Sequence, residues 1–448
     1  MMMTQAAATA PAALSAGDTA WVLIATALVM LMVPGLALFY GGLVRGKNTL
    51  NSMMMSLAPL GIITVQWVVL GYSLSFSPGN SVLGGLSWWG FGSVGGAANA
   101  TYAATIPHIA FALFQCMFAV ITVSLISGAV IERMRFSAYL LFGLAWTTLV
   151  YDPLAHWVWG DGGWLRTLGA LDFAGGTVVH VSAGTAALVA AIVLGKRRVT
   201  GRAALVPHSV PLTLLGAGLL WFGWFGFNAG SALTASDLAS MAFATTHTAA
   251  AAGLTTWMLV DLMRTSKTTA VGAATGAVTG LVAITPAAGF VSIRAALSIG
   301  ALGALASYAA MQFRARTTVD DSLDVFACHG VAGIVGALLT GVFASKAVNP
   351  AGADGLMYGG SIHQVGVQAM AVLVTMALSG SLTAGILLAL RALMGVRASI
   401  ADEVVGMDTS EHGEEAYHAG DLGEMGGSAG ALGHGVVLVR PHVPKKVA

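Results

Sequence analysis

Apolar residues in this chain come in long unbroken runs, neither alternating as in a half-buried strand nor striped as in a surface helix. Polar residues, Gly and Pro punctuate the runs at intervals of 20 to 30 positions. Lipid offers no partner to backbone N–H and C=O groups, so a bilayer crossing takes roughly 20 mostly apolar residues in helical form. Eleven runs qualify, near 19–43, 51–75, 106–131, 137–156, 173–195, 209–230, 239–263, 269–286, 289–312, 325–345 and 362–394. The pattern predicts an all-α polytopic membrane protein with eleven transmembrane helices, the last one long. Residues 1–18 are expected to form a short exposed leader, 19–395 the membrane domain and 396–448 a tail.

Composition supports this and narrows the partners. Of 448 residues, 56% are hydrophobic and 9% charged, far below the quarter that covers a soluble surface. A net charge of +1 offers no basic patch for nucleic acid. Cys116 and Cys328 both lie within apolar runs, so no disulfide framework is expected. No metal-ligand spacing appears, and neither metal nor cofactor is expected.

Lys and Arg collect in loops on the cytoplasmic side. Seventeen of the 20 cations fall in alternate loops and the tail, among them Arg45, Lys47, Arg133, Arg135, Lys196, Arg197, Arg198 and Arg202. Only Arg166, Arg294 and Lys346 fall on the other side. This predicts an N-terminus outside and a C-terminus in the cytoplasm. The uncharged Gly/Ser/Asn-rich loop from Phe76 to Thr105 then lies outside. Eight of the 19 acids sit in the tail, which leaves Asp172 as the main fixed charge near the spans.

Span five contains His180-Val-Ser-Ala-Gly184 and span ten contains His329-Gly-Val-Ala-Gly333. The shared H-x-x-A-G recurs five crossings later, so the second copy runs the opposite way through the membrane. That is the 5+5 inverted repeat of many transporters, whose sites lie near the midplane. Polar groups in lipid are costly and usually functional. Of eleven histidines, His108, His156, His208 and His363 sit at span ends, where an interfacial ring is expected, and four lie in the tail. His247 is expected to make an interhelical hydrogen bond. His180 and His329 are expected to share the lumen.

The run Asp172-Phe-Ala-Gly-Gly-Thr-Val-Val-His180 resembles the signature of the ammonium transporter family, Amt/Mep/Rh. Phe39–Asn48, Ala155–Gly160, Gly223–Ser231, Asp324–Gly330 and Asp408–Tyr417 resemble further family blocks in family order, most like the bacterial Amt branch. The resemblance implies a homotrimer in the cell membrane with one pore per subunit. It implies an outer recruitment site for ammonium or methylammonium formed by Phe118, Trp159, Phe227 and Ser231, with Asp172 behind it. Phe118 and Phe227 would gate the pore, and His180 and His329 would be its paired imidazoles. Gln115 and Thr285 are secondary lumenal positions. In the tail, Asp408, His412, Gly413, Glu414 and Tyr417 match a regulatory segment that in bacteria meets a PII-type signalling protein.

Aromatic faces and a hydroxyl suit a small cation that donates N–H bonds, each cation–π contact being worth about 0.5–2 kcal/mol. They cannot offset an idealised solvation loss of order 20 kcal/mol for a full charge in a dry pore. Deprotonation near the gate is therefore expected, with ammonia crossing and the proton following through the histidine pair. Asp172 is also expected to cap span five by accepting from Ala174 or Gly175. An ammonium sensor and an Rh-like passive ammonia channel are the alternatives. The short tail disfavours the first, and Trp159 with Ser231 the second.

Overall fold

The computed structural model describes residues 13–198 and 206–417. The expected leader up to residue 12, the cation Arg202 and the tail from residue 418 lie outside the described residues. Among the described residues, eleven helical stretches follow one another where the apolar runs stand. Eight are long and apolar enough to cross a membrane on length and composition alone: Ala16–Leu43, Gly46–Phe76, His108–Val130, Gly176–Leu194, Val210–Gly230, Ile293–Arg314, Phe326–Phe343 and Ile362–Leu393. Spans four (136–159), seven (Asp237–Thr265) and eight (Ala270–Ile284) complete the set. Span one starts at Ala16, capped by the Ser15 hydroxyl, and so takes in the end of the expected leader.

The largest helix contact joins spans one and six, the first members of the two halves. Spans five and ten pack closely where they meet. A Cβ on Gly184 would lie 2.3 Å from the backbone nitrogen of Gly330, while one on Gly333 would lie 3.1 Å from the Gly176 carbonyl. The glycine of H-x-x-A-G is thus a close-approach residue, which allows two backbones to touch where side chains would separate them.

The structure lengthens the repeat. Asp172 and Asp321 each stand eight residues before a central histidine. Each span opens with a π-helical stretch that carries that histidine, Gly176–Val181 and Phe326–Val331. Such widened turns cluster at functional sites because they free backbone groups and re-aim side chains.

The loop after span two is more ordered than its composition suggests. Ala98–Asn99 pairs with Ala103–Pro107 as a short antiparallel hairpin. Tyr102 stacks on Phe111 with ring centroids 5.3 Å apart and donates to the Phe76 carbonyl at 2.6 Å.

Candidate functional site

A recess of about 450 Å³ opens on the side of this loop, lined by Gln115, Phe118, Trp159, Asp172 and Ser231 among others. Trp159 ends the helical turn Asp152–Trp159 and is held by donation from its indole Nε1 to the Asp172 carbonyl at 2.9 Å. Its ring meets Phe118 edge to face, centroids 6.1 Å apart. Ser231 caps span six and donates to the Phe227 carbonyl at 2.8 Å, which leaves its oxygen lone pairs free to accept. Gln115 contributes a buried Oε1 that no described donor reaches.

Asp172 is buried behind this recess and occupied by its own helix. Its carboxylate accepts from the backbone N–H groups of Gly175, Gly176, Thr177 and Val178 and from the Thr177 hydroxyl. The expected cap is present but lies further along, with Gly175 among its donors and Ala174 not.

The floor of the recess is a pair of rings. Phe118 and Phe227 stack with centroids 4.2 Å apart and planes at 19°, both fully buried. Beneath them is a small cavity of about 10 Å³, lined by His180, His329, the rings of Phe39, Trp224 and Phe227, and apolar side chains of spans one, three, six and eight. That volume suits one water-sized molecule. His180 and His329 face each other with Nδ1 atoms 3.3 Å apart. One ring must donate there and the other accept, so the contact requires at least one neutral imidazole. His180 Nε2 is buried with no described partner.

Trp224 and Thr285 brace this pair from one side. Trp224 stacks on His180, centroids 5.3 Å apart and planes at 22°. Its Nε1 donates to the Thr285 hydroxyl at 2.9 Å. Thr285 therefore reaches the histidines through Trp224 and lines neither space. Trp224 itself escaped the sequence reading although it lies in the Gly223–Ser231 block, because a tryptophan in an apolar run looks like packing.

The other histidines have local roles. The two ring nitrogens of His156 meet the Ser75 and Asn80 carbonyls at 3.0 and 2.7 Å, and His108 meets the Tyr72 hydroxyl at 2.6 Å. His247 makes no hydrogen bond to another described residue. It is exposed and packs against Trp221 and Phe225, a departure from the expected interhelical bond. Asp152, inside span four and fully buried, is a second acid that the charge count passed over.

At the opposite face, where the cations gather, an ion-pair cluster anchors the loops. Glu132 bonds Arg45 and Arg197 at 2.9 Å each, and Arg197 reaches Asp320 at 2.7 Å. Burial pushes the Asp320 carboxyl up, but Arg197 outweighs it and holds the group down at about 2. Burial likewise opposes ionisation of Glu132, and Arg45 and Arg197 keep it below the usual carboxylate range.

The tail docks beside this cluster. Asp408 accepts from the Asn51 backbone at 2.8 Å, Met407 N–H donates to Asn48 Oδ1 at 2.8 Å, and Lys47 donates to the carbonyls of Glu403 and Val404. His412 lies edge-on to Phe136, and the Tyr417 hydroxyl meets His208 Nε2 at 3.0 Å. Gly413 adopts φ 70° at the turn between them, and Glu414 is exposed there.

Residues 20–417 match the family model described as Ammonium Transporter Family. The chain belongs to that family. It is 49% identical over 402 residues to an ammonium transporter of Bacillus subtilis, covering 90% of this chain and 98% of that one. An ammonium transporter of Aquifex aeolicus is 47% identical over 414 residues, covering 91% and 95%. The crystal structure of Saccharomyces cerevisiae Mep2 superposes with a TM-score of 0.81 at 37% identity, over 87% of this chain and 88% of that one. The protein is an ammonium transporter of the Amt/Mep type and a multi-pass membrane protein, not an enzyme. The His180–His329 pair accords with the twin-histidine pore of the family.

Proposed function

We propose that ammonium is recruited in the recess, loses its proton at the Phe118–Phe227 floor, and crosses as ammonia past His180 and His329 while the proton follows through the histidine pair. The observation that carries this reading is the closed aromatic floor above a cavity with room for one small molecule. Trp159, Phe118 and Phe227 supply aromatic faces and the Ser231 oxygen supplies an acceptor, which fits a cation that donates N–H bonds. Asp172 adds negative potential behind them without touching the ion, since its own helix takes up the carboxylate. Gln115 lines the same vestibule, and Thr285 braces Trp224.

Among the described residues no Lys or Arg lines the histidine cavity. A dry space of that kind excludes a full charge and admits a neutral molecule that exchanges hydrogen bonds with imidazole edges. Potassium has no proton to give up and stops at the floor. In proteoliposomes an ammonium gradient should drive both ammonia flux and current, and potassium neither. Flux without current retires the proton route, and absence of both retires the mechanism.

The chain is placed in the cell membrane with its N-terminus outside and the cation-rich face with the tail in the cytoplasm. It is read as a homotrimer. His247 and Trp221 stand on an apolar outer face at bilayer depth, where an imidazole open to lipid is costly and a neighbouring subunit would cover it. The docked segment containing Asp408, His412, Gly413, Glu414 and Tyr417 is the regulatory element, and a PII-type protein is its proposed partner. A pull-down with the cell's PII protein, with and without residues 396–418, tests that partner; loss of capture on truncation is expected.

A further inference from the structure

Asp152 is a carboxyl group inside span four that neither the recess nor the histidine cavity uses. Its Oδ2 accepts from Gln66 Nε2 of span two at 2.7 Å, and the same amide nitrogen donates to the Thr148 hydroxyl at 3.1 Å. Two acceptors are left over. Asp152 Oδ1 and Gln66 Oε1 are both buried, and neither has a donor. Gly71 makes the space for this contact, since a Cβ there would lie 2.6 Å from Gln66 Oε1 and 2.9 Å from Nε2. Both spans widen into π-helical turns at this level, Trp67–Gly71 and Thr147–Tyr151.

An ionised carboxylate here would keep its charge on one neutral amide donor. Asp172, by contrast, has five donors. Among the described residues Asp152 has no ion-pair partner. Its titratable neighbours are Tyr151, with Cys116 and Asp172 beyond it, and none of them brings positive charge. A buried charge so poorly compensated neutralises instead. One proton on Oδ1 answers both vacant acceptors, because the acid O–H donates to Gln66 Oε1 while the amide N–H donates to Oδ2. The result is a closed acid–amide ring.

We propose that Asp152 carries its proton and forms with Gln66 a neutral carboxylic acid–amide pair, and that this pair is a positioning device for Trp159. Asp152 opens the helical turn that ends in Trp159, whose indole is tied to the Asp172 carbonyl at 2.9 Å. The turn is thereby fixed at both ends. The Trp159 half of the proposal rests on the recruitment role of the recess; the protonation half does not.

The test uses the full-length transporter in proteoliposomes. Asp152→Asn retains both bonds, since its amide oxygen accepts and its amide nitrogen donates. The infrared difference between wild type and Asp152→Asn should show a protonated-acid carbonyl stretch that shifts in D₂O. Asp152→Asn should transport within about twofold of wild type, whereas Asp152→Ala should raise half-saturating ammonium roughly three- to tenfold with the maximal rate held within about twofold. If Asp152→Ala does not fold, Gln66→Leu replaces it and should also move the acid band. No acid band, or Asp152→Asn behaving like Asp152→Ala, overturns protonation. A fall in maximal rate at unchanged half-saturation overturns positioning. Trp159→Ala separates the two readings: if it leaves half-saturation unchanged, the recruitment site fails, and the infrared result still decides the acid–amide pair.

Discussion

Phe227 lies with one face against Phe118, centroids 4.2 Å apart, and its ring centroid is 5.9 Å from that of His180 on the other side. Two stacked rings, Phe118 facing the recess and Phe227 facing the cavity, therefore separate the open recess from the histidine pair. Phe118→Ala should remove half of that floor and let water from the recess reach the cavity. Osmotic water permeability of proteoliposomes, read by stopped-flow light scattering, should rise above wild type. An unchanged rate would mean that the barrier lies elsewhere.

Thr285 is the acceptor of the indole on which His180 rests. Thr285→Val keeps the shape and leaves a buried N–H unpaired, at a cost of about 1–3 kcal/mol. Methylammonium uptake should fall severalfold, and Thr285→Ser, which restores the acceptor, should recover it. Equal uptake in all three proteins would detach Trp224 from the mechanism.

Gly184 and Gly218 make a matched pair. A Cβ on Gly184 would lie 2.3 Å from Gly330 N, whereas one on Gly218 would meet nothing within 4 Å. Gly184→Ala should force spans five and ten apart, lower thermal stability in detergent and reduce transport. Gly218→Ala should do neither. Equal effects would contradict the close crossing.

The ion-pair cluster gives a pH expectation. Asp320 sits at about 2, below the ordinary carboxylate value near 3.9. A depressed folded-state value stabilises fully above the ordinary value and is lost as pH falls toward the folded one. The Arg197 amide, which donates to Asp320 at 2.8 Å, should therefore keep its hydrogen-exchange protection from neutral pH down to about 4. Loss of protection above pH 5 would contradict the assignment. Glu132→Gln should loosen the cluster at every pH, because it removes the partner of two arginines.

Much of this was legible in the chain. The spans follow from lipid's refusal to hydrogen-bond backbone, and His180 with His329 from a repeat that needs no structure. What was hidden depends on contacts distant in sequence. Trp224 acts through its stacking on His180. Asp152 went unread because its partner Gln66 lies 86 residues earlier and only the fold brings the two together. The π-helical turns leave no mark on apolar periodicity. The short hairpin in the Gly- and Ser-rich loop is held by Phe76 and Phe111 of the flanking spans.

The central claim is that the ion gives up its proton at the aromatic floor and that the histidine pair passes the proton on. Current across proteoliposomes bearing wild type and His329→Leu, each challenged with ammonium and then potassium, addresses it directly. The account predicts ammonium current in wild type, none with potassium, and loss of the ammonium current in His329→Leu. Potassium current in wild type, or an undiminished ammonium current in the variant, would contradict it.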